Sequence, residues 1–109
     1  KIVANQLRPE GARDAFGVAE ARAALDAAYR WLDEWMAGRS WAAGEQFSLA
    51  DCAAAPALFY ADWAHPLGER FGQVRRYRSR LLARPSVART VDEARPFRSF
   101  FPLGAPDRD

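Results

Sequence analysis

The feature that most constrains the fold of this chain is the segment FSLAD, residues 47–51, which precedes a long apolar run. Ser48 at the N-cap and Asp51 three residues later fit a capping box, in which each side chain accepts a hydrogen bond from the other residue's backbone N–H. Phe47 and Cys52 stand at the flanking positions that make a hydrophobic staple. Both signals fall at the same point, so the sequence predicts a helix that begins directly after the serine.

The residues that follow are apolar on every side of the predicted helix, which runs from Leu49 to about Asp62. A helix of this kind is expected at the buried centre of a domain. Its first N–H groups then cannot bond to water, which is why a side-chain cap is needed there. Pro56 lies inside the run, and by itself it would end or kink the helix, because a proline ring costs about 3 kcal/mol or more in a helix interior.

The rest of the chain predicts further helices and no strands. Apolar residues recur every three or four positions from Asp14, a plausible N-cap, to Met36, and Gly38 follows as a stop signal. A second periodic segment runs from Phe71 to Arg84, and Pro85 suits the first turn of a helix that ends near Ala94. Residues 1–7 fit the end of another helix. We therefore predict a single all-α domain over residues 1–109, a bundle of about four to five helices.

Two segments lack a helical period. Arg39–Gln46 is interpreted as a connector in which Trp41 points inward. The tail from Phe97 to Asp109 follows Pro96, which closes the last helix, and it contains three phenylalanines and two further prolines. No periodic pattern runs through this tail.

The composition excludes several classes of function. Cys52 is the only cysteine and His65 the only histidine, so an internal disulfide framework and Cys/His metal sites are excluded. Charged residues of both signs are mixed at a net charge of +2, which favours an ordinary solvated surface over nucleic-acid binding. No apolar run reaches the ~20 residues that span a bilayer, and no signal peptide opens the chain. We therefore expect a cytoplasmic protein that binds neither nucleic acid nor membrane.

Three residues are candidates for chemistry, and for each a structural role is preferred. Asp51 has no second carboxylate, histidine or metal ligand at useful spacing, so we interpret it as a cap and not as a catalytic acid. Cys52 is interpreted as part of the staple and core and not as a nucleophile, since burial opposes thiol reactivity. His65 is interpreted as a surface or loop residue. The densest basic cluster is interpreted as a solvated or dimer-rim surface, and its members are Arg75, Arg76, Arg78, Arg80 and Arg84.

The segment FSLAD at the head of a buried helix, with ARPSV at residues 83–87 opening the last one, resembles the C-terminal helical domain of the cytosolic glutathione S-transferase superfamily. The order of the helices agrees over most of residues 1–95. Pro56 within AAAPALF is similar to bacterial members, in which the central helix continues past such a proline with a bend. The resemblance therefore implies an unbroken helix there. In that family the capping box and staple are a folding element.

The resemblance also implies a longer, two-domain parent protein. Family enzymes bind glutathione through an N-terminal thioredoxin-like domain that also supplies the catalytic Tyr, Ser or Cys, and no βαβ pattern of that kind occurs here. The first residue is Lys1 and not Met, which also suggests a fragment. We therefore expect no catalytic and no glutathione-binding residue in this chain, no bound metal, and no activity of the isolated chain.

The family's helical domain contributes one wall of the hydrophobic co-substrate site and part of the dimer surface. Tyr60 matches a position that holds an aromatic substrate-site residue in some bacterial members, and Phe97, Phe100 and Phe101 lie where family tails fold over that site. A core role for Tyr60 and a frayed or core-anchored tail remain alternatives. The implied function is glutathione conjugation to a small electrophile by a homodimer. The alternatives are a non-catalytic assembly module and a glutathione-dependent isomerase or reductive dehalogenase.

Overall fold

The computed structural model describes all 109 residues, and its regular structure is helical throughout. The five α-helices are α1 (Ile2–Gln6), α2 (Ala15–Trp35), α3 (Leu49–Ala64), α4 (Gly72–Ala83) and α5 (Pro85–Ala94). Short 3-10 helices cover Glu10–Ala12 and Arg95–Phe100. The predicted all-α class is confirmed, and the bounds of α2 to α5 lie within two residues of those predicted. No helix is both long enough and apolar enough to cross a membrane.

Helix α2 begins and ends at the two signals present in the sequence. Asp14 is the N-cap, and its side chain accepts a hydrogen bond from the Gly17 N–H at 2.7 Å. The Asp14 N–H in turn donates to Asn5 Oδ1 at 2.7 Å, which joins the end of α1 to the start of α2. Beyond the other end of α2, Gly38 has φ +75°, a left-handed conformation that glycine adopts without a steric cost.

Helix α4 is the packing centre of the domain, because it contacts α2, α3 and α5. Val74 and Tyr77 have no exposed surface, and Leu81 is 1% exposed. The residue at its N-cap supplies no side-chain cap, and Asp33 of α2 takes that role by accepting hydrogen bonds from the Gln73 and Val74 N–H groups at 2.8 and 3.0 Å. The buried core cluster consists of Tyr29, Met36, Leu58, Leu67, Phe71, Val74, Tyr77 and Leu81.

The prediction that α3 is the buried centre is wrong. Helix α3 continues through Pro56, as the resemblance implied, but it is buried on one face only. Leu49 is 83% exposed and Tyr60 is 49% exposed. The reason is that α4 is the only helix in extensive contact with α3, so the apolar residues on the opposite side of α3 have no helix packed tightly against them.

The basic cluster is also corrected in part. Arg78 is buried and forms an ion pair with an aspartate of α3. Arg80 donates to two backbone carbonyls of the connector between α2 and α3, at 2.9 and 3.3 Å. The guanidinium of Arg84 lies 3.5 Å from the centre of the Phe47 ring. Three of the five arginines are therefore structural, and only the other two, at the start of α4, are exposed as predicted.

Candidate functional site

An apolar groove of about 360 Å³ lies between the open face of α3 and helix α5. On α3 the lining side chains recur at helical spacing from Cys52 through Ala55 and Phe59, and on α5 they do so from Val87 to Ala94. Alanines on both helices leave room between them, so the two apolar stripes enclose a space instead of packing together. The groove is thus a consequence of the residue sizes at these positions.

The polar groups of the groove are few and carry no charge. They are the Cys52 thiol, the Tyr60 hydroxyl and the hydroxyls of Ser86 and Thr90. The Thr90 hydroxyl is already bonded to the Ser86 carbonyl at 3.0 Å. A site with this lining favours an uncharged, largely apolar ligand, with a small number of hydroxyl groups available for orientation.

A second cavity of about 230 Å³ continues the groove at its Tyr60 end; it is lined mainly by aromatic side chains of α3 and the tail, and Arg98 is its one charged lining residue. The ring of Phe101 stacks on that of Tyr60, with ring centroids 5.9 Å apart and planes 25° apart. Phe101 also meets Trp63 edge-on at 5.3 Å. Phe97 and Phe100 stack on each other at 6.3 Å and are largely exposed at the rim. The structure therefore brings together the aromatic residues that the sequence singled out.

The capping box at the start of α3 is complete: the Ser48 side chain and the Asp51 side chain each meet the other residue's backbone N–H. The Ser48 N–H donates to Asp51 Oδ2 at 2.8 Å. Asp51 has no exposed surface, and it has two further partners that the sequence did not indicate. The Ala42 N–H donates to Oδ1 at 2.9 Å and the Tyr77 hydroxyl does so at 2.6 Å. One carboxylate therefore joins the connector, α3 and α4. A tyrosine at an apolar position of α4 was the available signal, since a buried hydroxyl needs a partner.

Burial and hydrogen bonding act in opposite directions on Asp51. Burial by itself raises the pKa of the carboxyl group, but the hydrogen bonds from Ala42, Tyr77 and Ser48 outweigh it and hold that pKa below its usual value. Burial and the hydrogen bond to Asp51 raise the pKa of Tyr77. Asp51 is therefore a buried, fully bonded carboxylate, and this arrangement fits a structural cap and not an acid that exchanges protons with a substrate.

Phe47 and Cys52 both line the end of the groove nearest the start of α3. Cys52 is a free, exposed thiol, so the prediction that it belongs to the core is wrong. It lies on the face of α3 that borders the groove, where no helix packs tightly against it, and this explains the difference.

His65 follows the last turn of α3 and is partly buried. Its Nε2 lies 3.0 Å from Asp26 Oδ1, and that oxygen also accepts a hydrogen bond from Arg70 at 2.8 Å. The hydrogen bond with His65 is the main cause of a lowered pKa at Asp26. The Tyr29 hydroxyl donates to the His65 carbonyl at 3.0 Å. None of the larger cavities is lined by the His65 ring, so its contacts join α2 to the loop after α3.

No group of three or more His, Cys, Asp and Glu side chains is arranged to hold a metal ion. The groove also does not fit glutathione, because that tripeptide carries two carboxylates and an ammonium group and no charged side chain lines the groove. The chemistry of the lining residues suits an apolar compound instead.

A scan against protein-family models matches residues 4–85 to the family described as glutathione S-transferase, C-terminal domain. The match includes all of α2, α3 and α4, with the capping box and Pro56. Searches of curated proteins and of solved structures returned no significant match. Since the matched segment is well over half of the 109 residues, the chain belongs to the glutathione S-transferase C-terminal domain family.

Proposed function

We propose that this chain is the helical domain of a bacterial glutathione S-transferase-like protein and forms the wall of its hydrophobic co-substrate site. The observation that carries the proposal is the stacking of Phe101 on Tyr60, which joins the tail to α3 over a cavity continuous with the apolar groove. These two residues are distant in sequence, and both are among the substrate-site residues that the family resemblance implies.

In the proposed reaction, glutathione supplies the sulfur nucleophile from a separate thioredoxin-like domain of the parent protein. The residues of this chain would bind the electrophile, exclude water from it and hold it in one orientation. Restricting a reactant in this way lowers the entropic part of the barrier. The Tyr60 hydroxyl, on a side chain that is half exposed, would donate a hydrogen bond to an acceptor atom of the electrophile. The isolated chain would bind apolar compounds without transforming them.

The proposal includes a homodimer in the cytoplasm. An exposed aromatic pair on α2 supports an interface: Trp31 is 61% exposed and stacks on Trp35 at 5.5 Å. The guanidinium of Arg39 lies 4.0 Å above the Trp35 ring. The same pair supports the second candidate function, a non-catalytic assembly module, because exposed tryptophan and arginine are typical of protein contact sites. Absence of glutathione-affinity retention and of turnover in the natural protein would favour the module.

The test of the co-substrate site is the Tyr60→Ala variant of the natural protein, assayed for conjugation of glutathione to chlorodinitrobenzene. Loss of one aromatic contact should raise the KM for the electrophile by about 2- to 10-fold while the KM for glutathione stays the same. Leu49→Ala is the matched control, because Leu49 is an exposed apolar residue of α3 outside the groove. Equal kinetic constants for the two variants would contradict the assignment.

A second measurement uses Cys52, the only cysteine in the chain, which lines the same groove. Its rate of alkylation by a neutral maleimide should fall when the neutral apolar fluorophore phenylnaphthylamine is bound. An alkylation rate independent of the fluorophore would show that the compound binds elsewhere.

A further inference from the structure

The tail beyond Phe100 is held by ion pairs at Arg108 and Asp109, and we call this set of contacts the tail clasp. The Asp109 carboxylate accepts two hydrogen bonds from Arg95, at 2.6 and 2.9 Å, and a further one from Arg98. Arg108 donates to the Asp62 carboxylate and, at 3.2 Å, to the Asp62 carbonyl. The clasp thus connects the tail both to the 3-10 helix that follows α5 and to α3.

The clasp is attached to the interior of the domain as well. Arg78 of α4 and Asp62 of α3 are 8% and 6% exposed, and their side chains pair at 3.4 Å. Arg78 also donates to the Asp109 backbone carbonyl at 3.1 Å. Because a buried guanidinium in a fork of fixed shape loses little freedom when it bonds, this contact gives the tail a well-defined position.

Phe101 lies between the two parts of the clasp. Before it in the chain, Arg98 places its guanidinium 5.4 Å from the centre of the Trp63 ring and bonds to Asp109. After it, Arg108 and Asp109 bond to α3, α4 and the 3-10 helix. The segment that carries Phe101 is therefore closed into a loop by ion pairs, and one of the paired residues, Arg98, lines the same cavity as Tyr60.

We propose that Arg108 and Asp109 are positioning residues for the apolar site: their ion pairs hold Phe101 against Tyr60 and so set the width of the aromatic cavity. This inference rests on the proposed function of that cavity. With the clasp closed, Phe101 forms one wall of this 230 Å³ end of the groove, and release of the clasp would remove that wall. The clasp thereby sets how tightly an apolar group is held beside Tyr60.

Salt distinguishes this arrangement from a purely apolar site. Raising the ionic strength shortens the screening length from about 10 Å at 0.1 M to about 3 Å at 1 M and weakens partly exposed ion pairs. Simple burial of a neutral ligand is not weakened by salt and is commonly strengthened. A clasp-controlled site should therefore bind a neutral probe less tightly at 1 M sodium chloride than at 0.1 M.

The experiment compares Asp109→Asn with Glu93→Gln in the natural protein. Glu93 pairs only with Arg89 on the surface of α5, so its variant removes one charge without touching the clasp. Asp109→Asn should weaken phenylnaphthylamine binding by about 3- to 10-fold and shift the NMR resonance of the Trp63 indole N–H, which lies beside Phe101. Glu93→Gln should do neither, and Asp109→Glu should restore most of the affinity.

The outcomes separate this inference from the proposed function. An unshifted Trp63 resonance with unchanged probe affinity in Asp109→Asn would overturn the clasp while leaving the apolar site intact. If the wild-type protein binds no probe and the resonance still shifts, the clasp positions Phe101 and the proposed function fails. If Asp109→Asn does not fold, the salt dependence of wild-type binding decides, and tighter binding at high salt would overturn the inference.

Discussion

Removing the Asp51 carboxylate is the most informative single perturbation of the fold. Its two oxygens accept from the Ala42 N–H at 2.9 Å, the Ser48 N–H at 2.8 Å and the Tyr77 hydroxyl at 2.6 Å, with no exposure to water. Asp51→Ala leaves these three donors without a partner and also removes the acceptor of the Ser48 hydroxyl, which donates to Asp51 Oδ2 at 3.3 Å. A buried polar group left without a hydrogen bond costs about 1–3 kcal/mol. The free energy of unfolding should therefore fall by about 3–6 kcal/mol, less than the full sum because water can reach some of the donors.

Two further variants divide this effect. Tyr77→Phe removes one hydrogen bond to a charged acceptor and should cost about 1.5–3 kcal/mol. Ser48→Ala removes the serine half of the capping box and should cost about 0.5–2 kcal/mol. In the Asp51→Ala background, Tyr77→Phe should cost much less than it does alone, because the hydroxyl has already lost its acceptor.

The assay is urea unfolding followed by circular dichroism of the helices, with Ser48→Ala and Tyr77→Phe as the reference if Asp51→Ala is unfolded without urea. Complete unfolding of this variant is possible, because the total free energy of unfolding of a natural domain is about 5–15 kcal/mol. A loss below about 1 kcal/mol for Asp51→Ala would refute the reasoning, and so would full additivity with Tyr77→Phe.

Three further predictions concern helix α3, the buried ion pair and acid stability. Pro56→Ala should raise the free energy of unfolding by about 1–2 kcal/mol. The variant restores a helical hydrogen bond, and this gain outweighs the conformational freedom that alanine adds to the unfolded chain. A lower midpoint in urea would contradict this prediction. Arg78 contacts the Asp62 carboxylate and donates to the backbone carbonyls of Leu58 and Asp109, and Arg78→Lys keeps the charge but cannot make all three contacts. This variant should lower the thermal midpoint by several degrees, whereas an unchanged midpoint would show that charge alone matters. The folded-state pKa values of Asp26, Asp51 and Asp109 are lowered, so their stabilisation is complete above about pH 4 and is lost as the pH falls further. Urea unfolding from pH 5 to pH 2 should show this decline, and a shallower one in Asp51→Asn; equal slopes would exclude a contribution from this carboxyl.

The sequence predicted the features that depend on local spacing. The capping box, Gly38 beyond α2 and Pro85 at the first position of α5 are each specified by residues within one turn, and the helix bounds follow from them. The partners that hold the helices together are distant in sequence. Asp33 caps α4 from α2, and Asp51 meets Tyr77 across the core. Polar residues at such separations carry no spacing signal in a single chain.

The residues of the candidate site were also predictable only in part. Tyr60 and Phe101 were identified from the family resemblance and not from their chemistry. The helix that carries Val87 and Val91 was predicted from Pro85, but the groove that these residues form with α3 was not. The tail clasp had no signal at all, because Arg108 and Asp109 lie in a segment without period and bond to residues on three other elements.

The open face of α3 shows why apolar composition alone does not determine burial. An all-apolar helix is buried on every side only where neighbours exist on every side, and here one helix provides most of the contact. Much of the open face consists of alanines, whose exposure costs little because each has a small side chain. The large exposed side chains of α3 are Leu49 at its start and Tyr60, which lies beside the groove and the tail. Exposed aromatic side chains that cluster beside a groove, as Tyr60, Phe97 and Phe100 do, are typical of a binding surface. The open part of this helix, and not its buried part, therefore indicates function.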